Sequence, residues 1–173
     1  MPEIQRKECI AKNIKTCKFV ILENAKANSA EPKYEISAFS GVAKYSAIID
    51  RVASETGVEG RLIRAIMYME TTHGYYDAPL SLFGQNKSIL PMNVNVEYWG
   101  NTFGDRTAMN DPYKNIKAGA EILKRIMFNL PGDASIRQIA TLYNNINAHS
   151  VNDYGARVEK IYATQPWLQG SKK

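Results

Sequence analysis

Ala65-Ile66-Met67-Tyr68-Met69-Glu70-Thr71 is the stretch on which the reading of this chain turns. From Glu59 to Thr71, Leu62, Ile63, Ile66, Met67 and Met69 fall at helical steps, and the pattern stops near Gly74. Glu70 stands one turn beyond Ile66, on the face that such a helix buries. Burial disfavours the charged form of a carboxylate and raises its pKa. A protonated carboxyl in a cleft at neutral pH is what glycosidic-bond cleavage needs as a general acid. The alternative is a helix-terminal Glu that swings out to solvent.

The surroundings are helical as well. Tyr45 to Glu55 carries Ile48, Ile49, Val52 and Ala53 and ends near Gly57. Short helices are expected over Asn93 to Gly100 and Asp105 to Asn110. Asp111-Pro112 is a strong helix start, an N-cap followed by Pro in the first turn. Ile116, Ala120, Leu123 and Met127 continue it to Pro131-Gly132. Asp133 is the expected cap of the next helix, with Ile136, Ile139, Ala140 and Tyr143 inward. A last helix is expected from about Val151 to Ala163. Strand-like alternation is nearly absent, so the expected class is all-α, with room for a very small strand pair near the loop region. That region, His73 to Pro91, holds two prolines, two glycines and many polar groups, and loops of that length are often functional.

The chain divides near residue 40. Residues 1–40 read as an N-terminal arm or helix, with Ile4 and then Ile10, Ile14, Cys17 and Ile21, the last four at steps of three and four, between Pro2 and Ala27. Residues 41–173 read as the main domain. On one helix Cys9 and Cys17 would lie ~12 Å apart along the axis. A bridge needs Cα atoms within ~7 Å, so both are expected to be reduced and structural. With only two histidines, His73 and His149, no metal-ligand spacing is visible, and neither a metal nor a cofactor is expected.

The 173 residues carry a net charge of +5, which favours anionic partners such as nucleic acid or bacterial cell wall. The cations are scattered, and no nucleic-acid motif or dense basic stripe accompanies them, so nucleic acid is not expected as a partner. No apolar run approaches the ~20 residues of a membrane span. Phe19-Val20-Ile21-Leu22 is too short for the core of a secretory signal.

The order of four elements resembles the lytic transglycosylase and goose-type lysozyme superfamily over roughly residues 45 to 165. The first element is the helix ending in Glu70-Thr71, where the family has Glu-Ser. The second is Leu90-Pro91-Met92-Asn93-Val94-Asn95, the nearest counterpart of a Gly-Leu-Met-Gln-Ile-Asn or -Met-Pro segment, with Asn93 in place of Gln. The third, Asn115-Ile116-Lys117-Ala118-Gly119-Ala120-Glu121-Ile122-Leu123, fits Asn-Ile-x-x-Gly-x-x-x-Leu. The fourth is Leu142-Tyr143-Asn144 ahead of Val151-Asn152-Asp153-Tyr154-Gly155-Ala156-Arg157-Val158, without the usual small-Gly pair after the Asn.

The resemblance implies a lysozyme-like helical domain with a cleft that cuts the MurNAc–GlcNAc β-1,4 bond of peptidoglycan. Glu70 is then the general acid/base, and Tyr143 is the expected orienter of its carboxyl. Thr71, Met92, Asn93, Asn144 and Tyr154 are expected as supporting or substrate-binding residues; Asn93 and Asn144 suit acetamido or hydroxyl groups, or the capping of loops. A lytic transglycosylase uses one carboxyl and leaves a 1,6-anhydro sugar. A goose-type hydrolase holds its water with further acids, for which Asp77 and Asp105 are available; a separation of about 6.5–9.5 Å from Glu70 predicts inversion. Their bland readings are a turn residue before Ala78-Pro79 and a helix cap. Tyr75 and Tyr76, hard to bury in a polar loop, are candidates for stacking on sugar, as is Tyr98, whereas Trp99 is expected in the core. A non-catalytic peptidoglycan-binding module of the same fold is the other alternative. The substrate lies outside the cytoplasm, so a chain made there without a visible signal is expected to act in the periplasm or cell wall, as an exported antibacterial effector or a wall-opening enzyme. Delivery machinery or an inhibitor protein are the partners such a role implies.

Overall fold

The structure is a computed structural model, and it describes residues 4–30, 41–72, 88–89 and 91–171, the side chains of 72, 88–89 and 169–171 excepted. It is all-α. The helices are α1 (Arg6–Ala11), α2 (Gly41–Lys44), α3 (Ser46–Thr56), α4 (Gly60–Thr72), α5 (Val96–Phe103), α6 (Arg106–Met109), α7 (Pro112–Phe128), α8 (Ile136–Asn144) and α9 (Asp153–Thr164), followed by a 3-10 turn at Pro166–Ser171. The small strand pair is β1 (Ser88–Ile89) antiparallel to β2 (Val94–Asn95), with Ser88 opposite Asn95 and Ile89 opposite Val94. Among the described residues no helix is long and apolar enough to cross a membrane.

Local chemistry sets most helix ends. Gly57 closes α3 at φ 77°, a left-handed conformation that costs glycine nothing. The side chains of Asn95, Asp105, Asp111 and Asn152 each accept a backbone N–H in the first turn of α5, α6, α7 and α9. The cap of α8 is Ser135, not the expected Asp133: Ser135 and Gln138 form a reciprocal capping box that satisfies two otherwise orphaned donors.

The core is one cluster in which α4 is sheathed on several sides. Leu62, Ile63, Ala65, Ile66, Met67 and Met69 are all buried. α3, α2 and α9 pack on α4, and α7 packs on α3 and α8. The tightest crossing is α8 on α9. A Cβ at Gly155 would meet Thr141 Oγ1 and the Arg137 carbonyl, so glycine is what allows the two backbones to touch.

Residues 4–30 differ from the long helix expected over Pro2 to Ala27. Only Arg6–Ala11 is helical. Asn13 and Lys18 take left-handed φ values of 53° and 51°, which turn the chain back on itself. That reversal also corrects the reading of the cysteines. Cys9 and Cys17 are not on one helix; their Cα atoms are 6.4 Å apart and they form a disulfide. Asn129 holds the returning segment: it donates to the Ile14 carbonyl and accepts from the Cys17 N–H, and its own carbonyl accepts from Phe19. Leu22 pairs with His149 and Val151. Cys9, Ile10, Phe19 and Ile21 are buried in the same cluster as the helices.

Candidate active site

Glu70 lies in the last turn of α4, where the apolar face of that helix meets a cleft of about 230 Å³. The cleft walls are the loop and strand at 93–95, Tyr98 and Trp99 of α5, Ile122 of α7, and Tyr143 with the turn at 144–147. Glu70 is half-buried there. Among the described residues that line the cleft it is the only acid, and no lysine or arginine is present.

Among the described residues, Tyr154 and Asn93 both donate to the Glu70 carboxyl. The Tyr154 hydroxyl donates to Oε1 at 2.6 Å, and Asn93 Nδ2 donates to Oε2 at 2.9 Å. The two differ in what they allow. An amide N–H₂ only donates, so it fits an acceptor oxygen. A phenol hydroxyl can donate to a carboxylate or accept from a carboxylic acid, so it serves both protonation states. Tyr154 is buried, and burial together with the charge of Glu70 pushes its phenol well above the usual range. Tyr143 is pushed the same way, by burial first and then by Glu70. Both stay neutral, hydrogen-bonding phenols in ordinary working conditions.

The Asn93 contact depends on a loop held from below. The Met92 N–H donates to Asn115 Oδ1 at 3.0 Å, and the Met92 carbonyl accepts from the Tyr143 hydroxyl at 2.7 Å. Asn115, wholly buried, also donates to the Met109 carbonyl. Met92 packs so closely on α7 that a Cβ at Gly119 would lie 2.9 Å from Met92 Cβ and Cε. With Met92 pinned, the next residue takes φ 55°, which Asn tolerates, and its amide turns toward Glu70. The Asn and Gly of the Asn-Ile-x-x-Gly segment thus act through Met92 to place Asn93.

Of the residues picked out by sequence, Glu70, Asn93, Tyr143 and Tyr154 come together. Their roles shift: Tyr154, not Tyr143, touches the carboxyl, and Asn93 faces Glu70. Asn144 is on the cleft wall and accepts from Asn152 Nδ2. Thr71 is placed as a supporting residue: its hydroxyl donates to the Met67 carbonyl and its methyl faces Gly41. Met92 is wholly buried and supports the loop, so it is not a substrate contact. Asp105 is the N-cap of α6 and does not line the cleft, which removes it as a second acid. Tyr75, Tyr76 and Asp77 lie outside the described residues, as does His73. Trp99 is buried, as expected, with its ring edge-on to Tyr98 and Phe103. Sequence reasoning missed Asn95, Asn145 and Asn147 as cleft residues. The clustering of asparagines at 144, 145 and 147 was the available signal.

Comparison with family models, with curated proteins and with solved structures gives no match to this chain. The fold and site by themselves define an all-α domain with a cleft in which Glu70 is the one carboxylate among the described lining residues.

Proposed function

We propose that the chain is a peptidoglycan-cleaving muramidase of lytic transglycosylase type, with Glu70 as general acid and base. The observation that carries this reading is the Glu70 carboxyl at a cleft wall, held by Tyr154 and Asn93, with no other acid among the described lining residues. One carboxyl held at a cleft wall is enough for a reaction in which the same group does both proton transfers.

In the first step Glu70 gives its proton to the bridging oxygen as the C1–O bond breaks. The substrate's own N-acetyl group shields the cationic C1, in place of a protein nucleophile. In the second step the ionised Glu70 takes the proton of the C6 hydroxyl. That oxygen closes on C1 and leaves a 1,6-anhydro end. The proton of the acid points to the bridging oxygen before the first transfer, so Tyr154 and Asn93 hold the carboxyl as donors, and both bonds strengthen once it is ionised. Asn95, Asn144 and Asn145 each accept one hydrogen bond within the protein through Oδ1, which leaves their carboxamide N–H₂ groups to donate to sugar hydroxyl and acetamido oxygens.

The test is digestion of purified wall sacculi with mass analysis of the products, wild type against Glu70→Gln. A 1,6-anhydro end with wild type and none with the variant is expected. A reducing end makes the enzyme a hydrolase of goose type. Binding to sacculi without soluble products makes it a non-catalytic module. Full activity in Glu70→Gln removes Glu70 from the chemistry.

The setting we infer is the periplasm or cell wall. The Cys9–Cys17 disulfide supports an oxidising compartment. Expression directed to the periplasm is expected to lyse cells while cytoplasmic expression leaves them intact; equal harmlessness in both counts against the effector reading.

A further inference from the structure

We propose that α1 backs the cleft wall, with Arg6 as a positioning residue for the turn at 145–148, and that the Cys9–Cys17 disulfide holds it there. The activity readout of this proposal rests on the muramidase reading; its structural readout does not.

Two consecutive cations of α1 reach the two sides of one cleft wall. Arg6 Nη1 donates to the carbonyls of Ile146 at 3.2 Å and Ala148 at 2.7 Å, and Nη2 donates to the Val20 carbonyl at 2.8 Å. Ile146 lines the cleft between Asn145 and Asn147. Lys7 Nζ sits 4.0 Å over the ring of Tyr98, which is also on the cleft wall and is hydrogen-bonded by the Asn147 side chain. One guanidinium therefore closes carbonyls of a turn whose neighbours present carboxamides to the ligand space.

A six-residue helix has too little internal hydrogen bonding to persist alone in water. What holds α1 is the burial of Cys9 and Ile10, the Arg125 bond to the Ile10 carbonyl, and the disulfide. Cys9 is three residues on from Arg6, hence on the same side of the helix. Its sulfur is joined to Cys17, whose N–H is fixed by Asn129 of the core. Cys9 is fully enclosed but Cys17 is only half-buried, so a small dithiol can attack at Cys17. In that exchange the Sγ–Sγ bond breaks, each sulfur gains one proton and one electron, and the dithiol is oxidised to its own disulfide. The groups on Glu70 are set by α9 and by the loop on α7, so loosening α1 should weaken substrate binding and spare the proton transfers.

The experiment compares the oxidised chain, the same chain reduced with dithiothreitol, Cys9→Ser/Cys17→Ser, Arg6→Ala and Arg6→Lys. Turnover is followed over a range of wall-fragment concentrations, and backbone hydrogen exchange at 145–148 is measured on the same samples. If reduction leaves the ordered turn populated one part in ten, KM rises about tenfold while kcat stays within about twofold. Exchange at Asn147 and Ala148 accelerates with it. Oxidised Arg6→Ala should already show both changes and gain nothing further on reduction, while Arg6→Lys, which keeps a charged donor nitrogen but loses the guanidinium fork, falls between. An unchanged KM and unchanged exchange in a chain with two titratable thiols overturns the proposal. If wild type cleaves no wall, the muramidase reading fails, and the exchange comparison alone decides this one.

Discussion

The Tyr154 hydroxyl meets Glu70 Oε1 at 2.6 Å across 84 residues of chain, and it reaches that oxygen because the glycine that follows it lets α9 lie against α8. Removing the hydroxyl tests the pair directly. A hydrogen bond to a charged group is worth ~1.5–3 kcal/mol, so Tyr154→Phe should lower kcat roughly 10- to 100-fold. The ring still fills its site, so the loss of stability should be confined to that bond, a fall of several degrees in melting temperature. Steady-state kinetics beside a thermal melt separates the two effects; unchanged kcat would remove Tyr154 from the proton-transfer machinery.

Asn93 combines a left-handed backbone with a donor to Glu70, and two substitutions separate those features. Asn93→Gly keeps the backbone conformation without the donor. Asn93→Ala loses the donor and adds backbone strain of ~1 kcal/mol or more. Turnover should fall by a similar factor in both, while only Asn93→Ala loses additional thermal stability. A Gly variant with full turnover would show that the amide is dispensable.

Gly119 should tolerate no side chain. An added Cβ is 2.9 Å from Met92 Cβ, an atom fixed to its own backbone, so the 91–93 loop must shift. Gly119→Ala is expected to cost ~1–3 kcal/mol of stability and to lower turnover beyond what unfolding explains. Asn115→Ala should act on the same loop by leaving the Met92 N–H and the Met109 carbonyl without their side-chain partner, at ~1–3 kcal/mol for each group so exposed. Chemical denaturation and turnover at a temperature where both variants are folded check this.

An acid-sensitive tie joins α3 to α7. Tyr113 donates to Glu55, and this bond, with that of Arg51, lowers the Glu55 carboxyl from 4.5 to about 2. A depressed carboxylate contributes stability that is present above its unfolded value and is lost as pH falls toward its folded one. The contribution of Glu55 should therefore fade between about pH 4.5 and pH 2. Glu55→Gln should flatten that part of the stability profile while leaving the neutral-pH turnover alone. An acid limb identical in the variant would show that Glu55 is not responsible for it.

Helix existence was legible because its causes are local. The 3.6-residue repeat of Leu62, Ile63, Ile66, Met67 and Met69 and the capping side chain of Asp111 act within one or two turns. Asp133 lost the cap of α8 to Ser135 because Ser135 has Gln138 three residues on, a reciprocal pair that a lone Asp cannot match. In the arm, hydrophobic spacing suggested a helix as far as Ala27. The turns at Asn13 and Lys18 instead send Phe19 and Ile21 into the core, where burial outweighs helical continuity.

By itself the sequence determined the all-α class and the placement of Glu70 at the end of a buried helix, since both follow from spacing along one segment; the candidacy of Asn93, Tyr143 and Tyr154 came only from the resemblance of short motifs to a known family. Tertiary structure alone decided which tyrosine touches the carboxyl, why Gly119 and Asn115 matter to Asn93, that Thr71, Met92 and Asp105 serve the fold, and that Cys9 meets Cys17. Those are distances between segments far apart in the chain. They are set by how α7, α8 and α9 pack against α4 and by where the arm turns back, and no local pattern carries that information.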